Sequence, residues 1–208
     1  MVVLAIIGVI SVVAITNQGS FNKTLVLTNA AYDIALTIRS AESFGLGSRV
    51  ASGSTNAGFG IHFTTGTSFV LFADTSPGIG ASSGLCHPPS PTSVDPIGPD
   101  ARPGDCVWQL GEEVPPSYTL NNGIFISNFC VFNSSGTSTC SPPTGTLTSV
   151  DITFSRPNPD VQIRASGLST PYERACLVIA SSVAPSGPFR YVSVYKSGAI
   201  AESATPCL

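Results

Sequence analysis

Charge is scarce in this chain: Asp, Glu, Lys and Arg make up 10% of its 208 residues, and the formal net charge is −3. The nine Lys and Arg residues leave no basic footprint for phosphate neutralisation, so nothing points to nucleic acid as a partner. Histidine is scarcer still, with only His62 and His87. No C-x-x-C occurs and neither histidine forms a ligand pattern with the cysteines, which argues against a zinc site. Asp74 is followed by TSPGIGASSG, a run without carboxylates, whereas calcium wants six or more oxygens, several of them charged. There is no G-x-S-x-G elbow and no phosphate-cradling glycine loop. Asp151, Asp160 and Glu173 do not form a recognisable catalytic pair, and His62, beside Phe63 in a strand-like run, reads as a strand-face histidine. These absences predict a protein that is not an enzyme and holds neither cofactor nor metal. Low charge also reduces self-repulsion, which suits dense packing in a polymer and equally suits a secreted domain.

What is present begins at the N-terminus. The first fifteen residues, MVVLAIIGVISVVAI, carry no charge. A polar break, TNQGSFNK, separates them from a second helical stretch. There Leu27, Ala31, Ile34, Ile38 and Ala41 recur at three- and four-residue spacing and form one apolar stripe. Gly45 and Gly47 stop the helix, since glycine adopts the left-handed conformation of a C-cap. The expected division is a helical segment 1–44, apolar over 1–15 and amphipathic over 25–44, followed by a β-rich body 45–208.

The body reads as short strands: FGIHFTT and SFVLFADT across a Gly66-Thr67 turn, then VWQL, SYTL, IFISNFCVF, TSVDITFS, VQIRAS, RACLVIAS and FRYVSVYKSGAIAE. Residues 76–105, dense in Pro, Gly and Ser, read as an irregular loop. SRPNPD reads as a rigid turn, because Pro157 and Pro159 fix φ and remove donors. Without βαβ alternation an antiparallel sheet is expected. The fold class this predicts is α+β, a long N-terminal helix packed on an antiparallel β-sheet domain.

All six cysteines lie beyond the helix, at positions 86, 106, 130, 140, 176 and 207. An even count confined to the β-rich part predicts disulfides and an oxidising compartment. Six cysteines allow fifteen pairings. Cys130 and Cys140 flank a loop short enough to close locally, Cys86 and Cys106 bracket the Pro/Gly-rich segment, and Cys176 is then left with Cys207.

The segment VVLAIIGVIS resembles the N-terminus of type IV pilins and of the pseudopilins of type II secretion and DNA uptake. SFNKTLVLTNAAYDIALTIRSAESFGLGSRV, with the hairpin GFGIHF and FVLFAD, resembles the GspH/FimT group of minor pseudopilins. VSVYKSGAI is similar to the last strand and turn of that group. The resemblance covers Met1 to about Asp74 and touches the end of the chain. In that family a Phe-Thr-Leu run and a glutamate precede the apolar segment, and neither occurs here. Fifteen helical residues reach roughly 22 Å against a bilayer core of about 30 Å, so the native chain is expected to begin upstream of Met1.

The resemblance implies a structural subunit of a type IV pilus or a secretion-type pseudopilus. Such a subunit is held in the inner membrane and then polymerised into a cell-surface filament through its N-terminal helix. Its partners would be other copies of itself or other pilins, the membrane and the pilus assembly machinery. Val2, Val3, Leu4, Ile6, Ile7, Gly8, Val9, Ile10, Val12, Val13 and Ile15 would then be the filament core and membrane contact. Within a filament the helix between Gly8 and Gly19 is expected to give way, because both glycines and the intervening Thr16, Asn17 and Gln18 weaken it. The competing reading is a secreted or membrane-anchored binding or adhesion domain whose N-terminus is a targeting segment. Against it, Ala14-Ile15-Thr16 is a poor cleavage site.

Overall fold

The structure, a computed structural model, describes residues 2–47, 49–51, 57–76, 104–114, 117–155, 160–166, 172–183 and 186–207. Within the helix, side chains are described at residues 2, 3 and 6–8 and from 22 onward. The helix, α1, spans Val2–Leu46 and closes with the Gly47 N–H donating to the Ser43 carbonyl at 3.0 Å. Gly45 is required by contact, because a Cβ there would overlap the backbone carbonyl of Phe154.

Ten strands follow. The first sheet is ordered β3-β2-β1-β6-β7, from β1 (Gly58–Phe63), β2 (Ser68–Asp74), β3 (Tyr118–Thr119), β6 (Val150–Phe154) and β7 (Gln162–Ala165). The second is ordered β10-β9-β8-β4-β5, from β4 (Ile124–Phe132), β5 (Ser138–Cys140), β8 (Arg174–Ser181), β9 (Arg190–Tyr195) and β10 (Ile200–Ser203). Every pairing is antiparallel.

Alternation explains which side chains enter the core. On β1, Ile61 and Phe63 point inward, and so do Val150, Ile152 and Phe154 on β6. On β8 the inward set is Ala175, Leu177 and Ile179. Strand β4 breaks the rule, since Ile126 and Phe129 are both core residues three positions apart. The register slips between Ile126 and Asn128. This extra residue restores the inward face for Phe129 and Val131, while the Ser127 hydroxyl donates to the Val178 carbonyl at 3.1 Å.

The expected fold, a long helix packed on an antiparallel sheet, is corrected here. The body is mostly β and consists of two five-stranded antiparallel sheets, and the packed part of the helix is short, within Asn22–Leu46. The buried stripe Leu27, Ala31, Ile34, Ile38 and Ala41 is fully enclosed, and α1 touches β1 and β6 of one sheet and β8, β9 and β10 of the other. The reason is that each sheet turns one apolar face inward, so the second sheet closes over the helical stripe that the first leaves partly uncovered, while Val2, Val3, Ile6 and Ile7 stay exposed. Two local expectations also change. The run VWQL forms no strand, because its backbone N–H groups are taken by carboxylates, and Ser138–Cys140 adds a short strand inside the expected loop between Cys130 and Cys140. The expected turn at 155–160 lies, apart from its end residues, outside the described residues, as does 77–103.

Candidate functional site

Two features remain once the core is accounted for: an uncovered helical segment and a turn held down by buried carboxylates. On α1, Val2 is 74% exposed, Val3 67%, Ile6 53% and Ile7 55%. Gly8 is exposed as well, with open space where a Cβ would stand. The side chains of Leu4, Val9, Ile10, Val12, Val13 and Ile15 lie outside the described residues. On the packed half of the helix Leu25, Tyr32 and Leu36 are exposed too. Beside Leu36, a groove of about 590 Å³ runs between α1 and the segment 118–124, lined by Val26, Ala30, Phe69, Tyr118 and Leu120, with Asp33 its one charged residue. Among the described residues no helix is long and apolar enough to cross a membrane.

The second feature folds over the outer face of the first sheet. Residues 112–114 lie against β2 as a short extra pairing, with the Ala73 N–H donating to the Glu112 carbonyl at 2.9 Å and the Val114 N–H to the Leu71 carbonyl at 2.8 Å. Three carboxylates hold the turn before it. Asp74 accepts the N–H groups of Asp105 at 3.0 Å and Cys106 at 2.8 Å. Gly104, at φ +115°, sits so close that a Cβ would meet the Asp74 carboxylate. Glu112 accepts from Thr75, Ser76 and Gln109. Asp151 lies 2.7 Å from His62 Nδ1 and accepts the Trp108 N–H at 3.4 Å, and the Trp108 ring covers His62 at 4.5 Å between centroids.

Burial dominates the electrostatics of this cluster. It pushes the Asp74 carboxyl up to about 8, and the neighbouring Glu112 and Asp105 charges add to the push against the two N–H donors. Glu112 and Asp151 are also raised, mainly by burial, with their hydrogen bonds pulling the other way. Protonation of Asp74 near neutral pH thus eases the repulsion among the acids beneath the turn. Among the described residues, no group of three His, Cys, Asp or Glu is arranged to hold a metal.

His62 and Asp151 are direct partners across β1 and β6. The sequence had left the histidine without an acid, since its partner is 89 residues away. The available signal was Asp151 itself, a charged residue inside the apolar run VDITF. Asp160 and Glu173 take no part in the pair, and Glu173 instead bonds Lys196 at 3.0 Å.

The disulfides staple the second sheet. Cys130 bonds Cys140 across β4 and β5, with Cα atoms 4.0 Å apart. Cys176 on β8 bonds Cys207, with Cα atoms 6.2 Å apart, and thereby ties the C-terminal tail back over the sheet. Cys106 is disulfide-bonded as well, while its expected partner, Cys86, lies outside the described residues. Comparison with known proteins finds no match to the chain among protein-family models, curated proteins or solved structures.

Proposed function

We propose that this chain is a structural subunit that assembles into a cell-surface filament of the type IV pilus or pseudopilus kind, with its N-terminal helix as the polymerising element. Before assembly the apolar run is held in the inner membrane. Afterwards it is enclosed by other copies of the chain or by other pilins, under the control of an assembly machinery. The chain acts by packing and not by catalysis.

One observation carries this reading: Val2, Val3, Ile6 and Ile7 stand exposed on the same helix that supplies the body's core from Leu27 onward. Each such side chain gains about 1.5–3 kcal/mol when buried, so the uncovered segment favours association. The resemblance of VVLAIIGVIS to pilin N-termini supplies the kind of assembly. The test is mass spectrometry of filaments sheared from the cell surface. The chain is expected among their components, and its confinement to the soluble secreted fraction would contradict the reading.

A second reading, a binding or adhesion role, draws on the turn described above. Leu110 is 89% exposed at its tip, displayed on a segment that buried carboxylates hold rigid, and such loops often carry recognition. The roles are compatible, because a filament subunit can present a contact residue on its outer surface. Leu110→Ser is expected to lower surface attachment while leaving filaments in place, and unchanged attachment would remove this second role.

A further inference from the structure

Helix α1 carries two apolar stripes on opposite faces, and the body buries only one. The buried stripe is centred on Ile34 and Ile38. At 100° per residue, Val3, Ile7, Leu25, Asn29, Tyr32 and Leu36 fall within an arc of about 80° on the far side. All six are exposed, Tyr32 at 57%, Leu36 at 45% and Leu25 at 44%. The sequence continues the same spacing through Ile10, Ala14, Gln18 and Phe21. The steps from Val3 to Leu36 run four, three, four, three times over, which is an eleven-residue repeat.

We infer that this outer stripe is the surface along which neighbouring copies dock, parallel and staggered by eleven residues. The inference rests on the filament reading above, with α1 unbroken as it is over Val2–Leu46 and not giving way between Gly8 and Gly19, and names the surface and register it uses. Three observations select a second copy as the occupant. The stripe contains no charged residue, so identical stripes do not repel. Its eleven-residue repeat superimposes on itself after a shift of about 16.5 Å, at 1.5 Å per residue. An unshifted parallel pair would close as a dimer, whereas a shifted one leaves each stripe half-open for the next copy. In the shifted register position 25 of one copy faces position 36 of the next. The repeat corresponds to about 3.67 residues per turn, slightly above the helical 3.6, so the stripes keep contact by winding with a right-handed twist. The groove flanking Leu36 gives the neighbour's side chains room.

The experiment uses two forms of the full chain, Leu25→Cys and Leu36→Cys. No described cysteine is free, so the introduced thiols are the reactive ones. The forms are assembled together, oxidised mildly and mapped by peptide mass spectrometry. A bond between position 25 of one copy and position 36 of another is expected, in assembled material and not in monomer. Filaments lacking this bond, or linked mainly 25 to 25, overturn the staggered stripe and leave the filament reading standing. A chain that never assembles overturns both. Protection of Leu36 only by phospholipid vesicles would make lipid the occupant and also overturn the stripe. As a second measurement, Leu36→Asp lies at an exposed site and is expected to keep the body folded by circular dichroism. It should cut filament yield at least tenfold, and an unchanged yield counts against the proposal.

Discussion

Asp74 keeps its proton near neutral pH, because burial lifts its pKa to about 8 from an ordinary value near 4. Between those values the folded chain binds a proton that the unfolded chain has released. Stability contributed by this group is therefore full below the unfolded value and is lost as pH rises through about 8. Glu112 and Asp151 are raised too and act with the same sign. Thermal unfolding is expected to show the melting temperature falling from pH 5 to pH 8.5, with a flatter profile for Asp74→Asn. A melting temperature that climbs across that window would contradict the assignment. Removing Asp151 exposes a different dependence, since it leaves His62 and the Trp108 N–H without their acceptor. Asp151→Ala should cost about 3 kcal/mol in urea unfolding, and a loss under about 0.5 kcal/mol would show that the pair is ornamental. Little of this cluster could be read from the sequence. Asp74, Glu112 and Asp151 are far apart along the chain, and only the pairing of β1 with β2 and β6 brings them under one turn.

At the scale of elements, local patterns were the most legible. The stripe from Leu27 to Ala41 is dictated by helical spacing, and its residues are the ones enclosed between the sheets. Ile34→Ala should cost about 2–5 kcal/mol by chemical denaturation, because the side chain is fully buried. A smaller loss would mean that the helix is only loosely seated. The Cys130–Cys140 pair was legible for a similar reason, with a short polar loop between two strand ends. Replacing both cysteines by Ser should lower stability by about 2–3 kcal/mol, with the β4–β5 pairing showing the earliest hydrogen exchange. Unchanged exchange at β5 would show that the hairpin does not depend on its staple. VWQL reads as a strand because three of its four residues are apolar or aromatic, while its backbone donors go to Asp105, Asp151 and Glu112. Side-chain competition of that kind leaves no periodic trace. The bulge in β4 was equally hidden, since it only becomes apparent against the register of β8.

For the whole molecule, the helix-on-sheet expectation gave way to two sheets. The sequence shows that strands exist and are short, but alternation does not say how many strands one sheet holds before the chain starts another. The division follows from the order of pairing, in which β4 and β8 join each other across intervening strands. The two sheets clasp one part of α1, while Val2, Val3, Ile6 and Ile7 stand exposed in its first turns. In the proposed filament other copies of the chain cover them. The most direct measurement is an electron cryo-microscopy reconstruction of filaments assembled from the full chain, alongside Ile6→Asp. The account predicts α1 helices lining the filament interior, bodies on the outside, and no filaments from Ile6→Asp even though its body remains folded. Filaments joined only through the β bodies, or unaffected by Ile6→Asp, would contradict it.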